Sequence, residues 1–447
     1  MAAKAKRIVI RIVVVLIIVV TSVLLLRAVF NYTTGKTLEK YLAKARGEGI
    51  PLTMEDIAPR CVDPDNGALL WKAAEALFIL PDVKDRKLAA DAVNGFYDGK
   101  SLDADARKTL GPLCEKNRRV FQLVVEAAAR PCFKYGDWTK GPWSVEMINA
   151  LKTIQVTRLL GIDSVLQADA GQVEAGLEEC RNGMHFVQKL MDEPLLINNL
   201  VALAEMKILL ACFDQIVSGR EIDPVTLAAW MKEMDVKSWR ERYVRWIPTE
   251  RAVGLDWGLR TISGKPGDLS SALHVLDNEK GIDRFFYWLI RPHLRSQLIW
   301  VHERYGDIER RAGETYYKQI EFLEKERLVP WYYKATEVLL PAFSSAFLKE
   351  ATLEAMMLAT KAGLACKIYR NKTGHYPETL EALVPDMLPE VPIDPFTGKP
   401  FVFRIQNGEL LIYSLGSNQK DDGGRMGPIT QMVMEKDDDW TWREKIK

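Results

Sequence analysis

Residues 346–370 read AFLKEATLEAMMLATKAGLACKIYR, a stretch rich in alanine, methionine and leucine and free of proline. These residue types favour helix, and the apolar members recur at the spacing of one face of an α-helix. The members of that face are Ala351, Ala355, Leu358, Ala362, Ala365 and Ile368. The stretch therefore predicts a long helix that leads directly into the C-terminal segment of the chain.

A β-hairpin is predicted beyond this helix. Two apolar runs, residues 401–405 (FVFRI) and 410–413 (LLIY), flank Asn407-Gly408. Asn-Gly between two such runs is a strong signal for a two-residue hairpin turn, because both residues tolerate a positive φ. The helix and the antiparallel hairpin together predict a small α+β domain over residues 343–447.

The turn and loop motifs of this segment resemble those of the C-terminal domain of the type II secretion pseudopilins, the major pseudopilin in particular. The matching elements are Tyr376-Pro377 with Leu380, Leu383 and Val384, then Asp394-Pro395-Phe396-Thr397-Gly398-Lys399-Pro400, then Tyr413-Ser414-Leu415-Gly416-Ser417-Asn418. The resemblance covers residues 343–447. It implies a sheet packed on the long helix, in a family of cell-envelope proteins rather than enzymes.

In the pseudopilins the loop after the hairpin coordinates calcium, a hard cation that takes about six to eight oxygen ligands. The resemblance implies that the Leu415 carbonyl and the Asn418 side chain contact the ion and that Asp421 or Asp422 adds a carboxylate. The further acidic residues that would close the loop are Asp437, Asp438 and Asp439. Asn418 stands where the family usually has aspartate, and the missing negative charge weakens the binding of calcium. The alternative is a solvated acidic turn that binds no ion.

Two features differ from a pseudopilin. The prepilin peptidase site, a glycine followed by phenylalanine with a glutamate at the fifth mature position, is missing, since the residues before Ile8 read Lys4-Ala5-Lys6-Arg7. Residues 31–342 also separate the N-terminal apolar stretch from the long helix, whereas the family has one continuous rod. The order of anchor, helical region and pseudopilin-like tail resembles envelope proteins common in planctomycete-type bacteria.

The N-terminal apolar stretch predicts a transmembrane anchor. Residues 12–26 (IVVVLIIVVTSVLLL) carry no charge. Extended to residues 8–30, the stretch would form a helix about 34 Å long, which is enough to cross a bilayer. A cleaved signal peptide is the alternative, but no small-x-small cleavage site follows the apolar run. Residues 1–31 are therefore interpreted as a cytoplasmic stub and an uncleaved anchor.

Basic residues lie on both sides of this span, so their distribution does not fix its orientation. They are Lys4, Lys6, Arg7 and Arg11 before the span and Arg27, Lys36, Lys40, Lys44 and Arg46 after it. The resemblance to pseudopilins favours a single-pass protein of the inner membrane whose bulk lies outside the cytoplasm.

Residues 32–342 are predicted to form an all-helical domain, either a helical bundle or a short α-solenoid. Asp223-Pro224 predicts the capped start of one of its helices. A long helix is expected at residues 298–328, and a loop at Ser263-Gly264-Lys265-Pro266-Gly267. The apolar face of the helix that follows Trp143 is expected to comprise Met147, Leu151, Ile154 and Ile162.

The six cysteines form no C-x-x-C pair, which argues against a zinc ribbon or a thioredoxin-like site. An oxidising compartment would allow Cys180 to pair with Cys212, or Cys114 with Cys132, but spacing alone does not determine pairing. Free thiols in the core are the favoured interpretation.

The composition excludes some classes of function. Lys plus Arg total 61 and Asp plus Glu total 60, so no net field attracts nucleic acid. No catalytic motif is recognised, and the five histidines are widely spaced. The tryptophans of the middle region are interpreted as core or interface anchors, with a ligand-binding cleft as the alternative. They are Trp239, Trp246, Trp257, Trp288 and Trp300.

The sequence therefore predicts a membrane-anchored envelope protein that binds rather than catalyses. Residues 8–30 would contact the membrane, the helical domain would present a surface to a protein partner in the envelope, and calcium would stiffen the C-terminal domain. The first alternative is an accessory component of a type II secretion or pilus-like assembly. The second is an enzyme whose site lies in the Trp-rich helical region.

Overall fold

The computed structural model describes residues 2–98, 100–140, 145–263, 282–326, 333, 343–425 and 440–446. Within these residues the chain is mainly helical, with one long apolar helix at the N-terminus and a small antiparallel sheet near the C-terminus. The prediction of a mainly α protein with these two features is confirmed. The pseudopilin-like character of the C-terminal domain stays a prediction.

The helices follow one another with short connections through most of the body. The first two are α1 (Ala2–Gly47) and α2 (Met54–Ile57). The body then contains α3 (Gly67–Leu77), α4 (Arg86–Tyr97), α5 (Ala104–Lys116), α6 (Arg118–Ala128), α7 (Ala150–Asp169), α8 (Val173–Leu190), α9 (Leu196–Val217), α10 (Pro224–Glu233), α11 (Val236–Tyr243) and α12 (Trp246–Ser263). The last three are α13 (Ile282–Arg311), α14 (Tyr316–Glu326) and α15 (Phe343–Thr373).

The sheet has three antiparallel strands in the order β1 (Val402–Gln406), β2 (Glu409–Ser414) and β3 (Trp440–Lys445). Asn407 and Gly408 join β1 to β2 with φ values of 53° and 76°, the left-handed conformation that this tight turn requires. The predicted hairpin is therefore confirmed. The sequence did not predict β3, which pairs with β2 so that Trp442 lies opposite Ile412.

Helix α15 lies at the centre of the fold and is buried along most of its length. Helices α9, α10 and α11 pack on it from one side, and strands β2 and β3 from another. Gly363 permits the contact with the sheet, since a Cβ at this position would lie 2.3 Å from the indole ring of Trp442. The lack of a side chain at position 363 therefore allows the sheet to approach α15 closely.

A buried ion pair fixes α15 to the sheet and to the body. Lys367 Nζ lies 2.7 Å from Glu444 Oε1, and both side chains are buried. The same carboxylate oxygen accepts a hydrogen bond of 3.1 Å from the backbone N–H of Gly219, just after α9. One carboxylate thus joins α15, β3 and the α9–α10 connection.

One hydrophobic core extends from α3 to β3. Trp246 at the start of α12 stacks on Phe343 at the start of α15, with ring centroids 5.7 Å apart. Trp239 is buried in the same core, so the prediction that these two tryptophans are packing residues is confirmed. The division into residues 1–31, 32–342 and 343–447 stays a prediction, and the second and third of these regions contribute to one core.

Helix α1 runs without a break from the apolar stretch into the body. The apolar part is exposed throughout, and it is long and apolar enough to cross a membrane. The last turns of α1 belong to a small hydrophobic cluster that includes Leu42 and Ala45 of α1, Leu255 of α12, and Leu294 and Leu298 of α13. Helix α1 is therefore packed into the body at one end and exposed along its apolar stretch.

The disulfide pairing differs from the pairings considered from the sequence. Cys61 and Cys132 form a disulfide with their Cα atoms 5.8 Å apart, so neither of the candidate pairs considered from the sequence is formed. The Asn66 side chain brings the two segments together, because it donates to the Lys134 carbonyl and accepts from the Lys134 N–H. Free buried thiols, the favoured interpretation, are found for Cys114, Cys180, Cys212 and Cys366.

The single helix expected at residues 298–328 is wrong in extent. Helix α13 starts earlier and ends at Arg311, and α14 begins separately at Tyr316. Gly313, a poor helix former, lies in the break. Residues 327–328 of the expected helix lie outside the described residues.

The apolar face expected for the first helix after Trp143 is wrong in part. Met147 precedes α7 and Leu151 lies in its first turn, and the two are 58% and 77% exposed. Ile162 is buried as expected, within the part of α7 that faces α8 and α9. Ser263, expected in a loop, is instead the last residue of α12. Trp143 and the rest of that expected loop, residues 264–267, lie outside the described residues. The start at Asp223 is confirmed, since its carboxylate caps α10 ahead of Pro224.

Replacing Lys367 by methionine should lower the free energy of unfolding by about 3–5 kcal/mol, because it leaves the Glu444 carboxylate buried without its cation. The double replacement Lys367→Met and Glu444→Leu should recover most of this loss, since an apolar pair of similar volume can replace a buried ion pair. Chemical unfolding followed by circular dichroism measures both. Lys372→Met, an exposed position on the same helix, is the matched control, and a double variant no more stable than the single one would contradict the account.

Candidate functional site: the cleft between the anchor helix and α13

A cleft of about 550 Å³ opens between the C-terminal end of α1 and the second half of α13, with α12 behind it. Its lining residues are Tyr41, Lys44, Ala45, Glu48, Ile50, Arg251, Glu303, Gly306, Asp307, Glu309 and Arg310. Most of them are polar, and they come from three separate parts of the chain. The cleft is the candidate binding site among the residues that the structure describes.

The two long walls of the cleft run side by side in the same direction. Arg295 of α13 donates to the Asn31 carbonyl at 2.9 Å and to Asn31 Oδ1 at 3.1 Å. Further along both helices, Tyr41 of α1 meets His302 of α13. Gly35 allows the close approach, since a Cβ there would lie 3.2 Å from Arg295 Nη1. The walls are therefore fixed relative to each other by side-chain contacts at two levels.

A polar network centred on His302 closes the inner end of the cleft. His302 Nδ1 lies 2.7 Å from the Tyr41 hydroxyl and 3.3 Å from Arg251 Nη2. Because a guanidinium group has only donors, Nδ1 is the acceptor and the ring proton is on Nε2. Arg251 also donates to Glu309 at 2.9 Å. The network therefore joins α1, α12 and α13 through one neutral imidazole.

The environment of this network keeps its groups in one protonation state at neutral pH. Burial, together with the positive charge of Arg251, lowers the pKa of His302 to about 3. Burial also raises the pKa of the Tyr41 hydroxyl. His302 is thus neutral and Tyr41 is protonated near pH 7, so this pair shapes the cleft and does not exchange protons there.

Charges of both signs lie around the mouth of the cleft. Lys44 of α1 and Glu48, just after its end, are 3.7 Å apart, and Arg310 pairs with Asp307 on α13. Exposed ion pairs of this kind contribute about 0–1 kcal/mol, so the charges of a ligand can replace them at little cost. The cleft therefore suits a ligand that carries both positive and negative groups, such as an extended stretch of polypeptide.

A second polar cluster, between α11 and α15, is fully enclosed. Arg240 pairs with both Glu350 and Glu354, which lie one turn apart on α15. Burial and the neighbouring Glu354 charge raise the pKa of Glu350 to about 8. Two carboxyl groups share one guanidinium here, and they lie in the interior. The cluster is therefore a structural junction and offers no opening to a ligand.

The residues predicted to bind calcium lie together on the loop after β2, but their side chains are engaged with other groups. Asp421 accepts from Arg404 at 2.5 Å, from the Tyr413 hydroxyl at 2.9 Å and from the Gly423 N–H at 3.0 Å. The Leu415 N–H donates to Asp394 at 3.1 Å. The Arg404 guanidinium thus lies beside the Asp421 carboxylate, in the place that a bound cation would take.

Asn418 and Asp422 are also bonded to each other. The Asn418 amide donates to Asp422 Oδ2 at 2.8 Å, and its Oδ1 accepts from the Lys420 N–H at 2.8 Å. In the part of the chain that the structure describes, no three acidic, histidine or cysteine side chains converge as metal ligands. Residues 437–439 lie outside that part. In this arrangement the oxygen atoms of the loop are engaged in hydrogen bonds and do not fit calcium as ligands. Calcium binding stays a prediction.

Sequence reasoning missed the cleft residues. Tyr41, Arg251 and His302 lie far apart in the chain, and each is an ordinary residue in its own helix. Their only sequence signal is a polar residue within an otherwise apolar helix face, which is common and unspecific. The Trp-rich region predicted as the alternative site contributes to packing at Trp239 and Trp246, and the side chain of Trp288 lies outside the described residues.

No protein-family model, curated protein or solved structure matches this chain. The functional conclusion therefore depends on the geometry of the cleft, the apolar helix and the C-terminal loop.

The low pKa of His302 predicts an acid-sensitive fold. Between pH 6.5 and about 3 an unfolded histidine binds a proton that His302 does not, so the unfolded state gains protons and stability falls as the pH is lowered. Replacing His302 by asparagine keeps an acceptor for Tyr41 and Arg251 and removes the titration. The slope of stability against pH in this window should become shallower by up to about 1.4 kcal/mol per pH unit.

Thermal unfolding over this pH range measures the slope. The control is Val225→Asn, because Val225 is 79% exposed on α10, lies outside the cleft and carries no titratable group. Its slope should equal that of the wild type. Parallel pH profiles for the wild type and the His302 variant would show that His302 does not cause the acid sensitivity.

Proposed function

We propose that this chain is a non-enzymatic, membrane-anchored protein of the bacterial cell envelope that binds a protein partner in the cleft between α1 and α13. The observation that carries the proposal is that α1 is both the apolar helix and one wall of the cleft. Tyr41 lies about 16 Å of helix beyond Phe30, and Glu48 about 27 Å. The cleft would thus lie at a set height above the bilayer, where a partner in the envelope can reach it.

Two observations support a binding role over a catalytic one. His302, the histidine nearest to the cleft, is neutral and has a pKa of about 3, far from that of a general acid or base at neutral pH. The charges at the mouth of the cleft form exposed pairs that a ligand can replace. Both favour recognition of a charged polypeptide.

Site-specific photo-crosslinking in cells tests the partner proposal. A benzoylphenylalanine in place of Glu303, which is exposed on the wall of the cleft, should form a crosslinked product with an envelope protein. Lys44→Glu should remove that product by reversing a charge at the mouth of the cleft, and Lys100→Glu, an exposed lysine elsewhere, should leave it unchanged. A product that survives Lys44→Glu, or no product specific to this position, would exclude the cleft as the binding site.

The proposed location is the inner membrane, with the body on the extracytoplasmic side. The Cys61–Cys132 disulfide supports it, since such bonds persist in oxidising compartments and are rare in the cytosol. The resemblance of residues 343–447 to pseudopilins points to the same side.

A single added cysteine reports the orientation. The native cysteines are either bridged or buried, whereas Val83 is 82% exposed. Val83→Cys should react with a membrane-impermeant maleimide in cells whose outer membrane alone is permeabilised, and the wild type should not. Reaction only after lysis of the inner membrane would place the body in the cytoplasm.

A second candidate function is that of an accessory component of a type II secretion or pilus-like assembly. It is supported by the packing of α15 on a three-stranded antiparallel sheet, which is the arrangement that the resemblance implies. Affinity purification of the full chain from a membrane extract should then recover components of the secretion machine. Their absence, under conditions that preserve the assembly, would remove this candidate.

Calcium binding by the C-terminal loop is proposed as a competition with Arg404. Calcium would raise the unfolding temperature, by the equivalent of about 2.7 kcal/mol at a hundredfold excess over Kd. Arg404→Gln should enlarge the effect because it frees Asp421, and Asp422→Asn should reduce it. Thermal unfolding with calcium, against magnesium as the ionic control, measures all three. An unfolding temperature that calcium changes in neither the wild type nor Arg404→Gln would end the calcium proposal.

A further inference from the structure

Arg251 places a buried positive charge at the inner end of the cleft. Its side chain is 10% exposed, and it contacts α13 from its position on α12. Gly306 of α13 makes room for it, since a Cβ at this position would lie 3.1 Å from Arg251 Nη2. A charge withdrawn from water is costly unless it is paired and hydrogen-bonded. The group that pairs with Arg251 therefore indicates what this end of the cleft accepts.

The partner of Arg251 is a carboxylate that is much more exposed than the guanidinium. Arg251 Nη1 donates to Glu309 Oε2 at 2.9 Å, and the Glu309 side chain is 40% exposed. The guanidinium is buried and also donates to His302 Nδ1 at 3.3 Å, whereas the carboxylate is already partly in water. Of the two groups, Glu309 is therefore the one that can rotate out toward solvent at low cost.

Arg251 has more donors than its present contacts use. A guanidinium group carries five N–H donors. One nitrogen donates to Glu309 and another to His302, and the buried Nε has no acceptor among the residues that the structure describes. Arginine binds carboxylates most strongly through two parallel N–H bonds, and Glu309 forms one bond to it within these residues. A carboxylate that enters along the cleft can therefore form a stronger contact than Glu309 does.

We propose that Arg251 is the binding site for a carboxylate of the partner polypeptide and that Glu309 occupies this site in the free protein. The carboxylate of the ligand exchanges with that of Glu309, which rotates out toward the mouth of the cleft. Because one carboxylate replaces another, the buried guanidinium keeps a counter-ion in both states. The inference rests on the proposed function in taking a polypeptide as the ligand. It adds the chemical group that is recognised and makes Glu309 an internal competitor.

The internal competitor selects for ligands that fill the cleft. A group tethered close to its site has an effective concentration on the order of millimolar, so a dilute free acid does not displace Glu309. A polypeptide that also contacts Lys44 or Arg310 at the mouth gains the additional binding energy that the exchange requires. The cleft of about 550 Å³ lies within the range of about 300–1,000 Å³ that ligand sites occupy. The space suffices for a short stretch of polypeptide that ends on Arg251.

Glu309→Gln tests the competition, because the amide keeps the shape of the side chain and removes its charge. The full chain would carry 3-fluorotyrosine at position 41, whose fluorine resonance reports on the inner end of the cleft. Three acetylated tetra-alanine peptides serve as probes. The first has a free C-terminal carboxylate. The second has a C-terminal amide and one glutamate in place of an alanine, and the third has the amide and no acidic group.

An acidic peptide should bind Glu309→Gln about fivefold more tightly than the wild type, the equivalent of the ~1 kcal/mol that such an ion pair contributes. The better of the two acidic peptides shows whether the site takes a C-terminal or a side-chain carboxylate. Glu314→Gln, the matched control, removes the same charge from an exposed position after α13 and outside the cleft, and should leave the affinity unchanged. Equal affinity in the wild type and Glu309→Gln, no binding of either acidic peptide, or equal binding of the peptide without an acidic group would overturn the proposal.

Crosslinking in cells separates this inference from the proposed function. The product formed through benzoylphenylalanine at position 303 should increase when Glu309→Gln is added. A product of equal yield in both backgrounds would exclude Glu309 as a competitor and leave the cleft as the binding site. No product in either background, while an acidic peptide binds the purified protein, would exclude the protein partner and leave the carboxylate site.

Discussion

The burial of α15 is the constraint on which the rest of the fold depends. This helix is buried along most of its length, so other elements have to cover it on several sides. Helices α9, α10 and α11 cover one part and the sheet covers another. The join with the sheet contains a buried charge pair, Lys367 with Glu444. The helical body and the C-terminal strands therefore stabilise each other through one shared helix.

A second junction connects this body to the apolar helix. The end of α1 packs on α13 through a small apolar cluster, and the Tyr41–His302–Arg251 network closes the space beside it. His302 Nδ1 lies within hydrogen-bond distance of both Tyr41 and Arg251, and these bonds hold α1, α12 and α13 in fixed relative positions. The same contacts that hold α1 to the body thus shape the candidate site.

Local patterns in the sequence predicted the local structure. Asn407-Gly408 specified the hairpin because few residues accept positive φ, and Asp223-Pro224 specified a helix start through the chemistry of capping. Contacts between distant residues were not predictable. The pairing of Cys61 with Cys132 depends on hydrogen bonds made by Asn66, and the cleft depends on how α1, α12 and α13 pack. Neither the disulfide pairing nor the helix packing around the cleft produces a recognisable pattern in the local sequence.

With α1 across a bilayer, as proposed, its unbroken course would couple the orientation of the body to the thickness of that bilayer. Within its range of Ala2–Gly47 no residue interrupts the helix between the apolar stretch and the packed end. A transmembrane helix adapts to a thinner membrane by tilting. Because α1 has no hinge, such a tilt would turn the whole body with it and bring the cleft closer to the lipid surface. The rigidity of one helix would thus make the accessibility of the cleft a function of membrane composition.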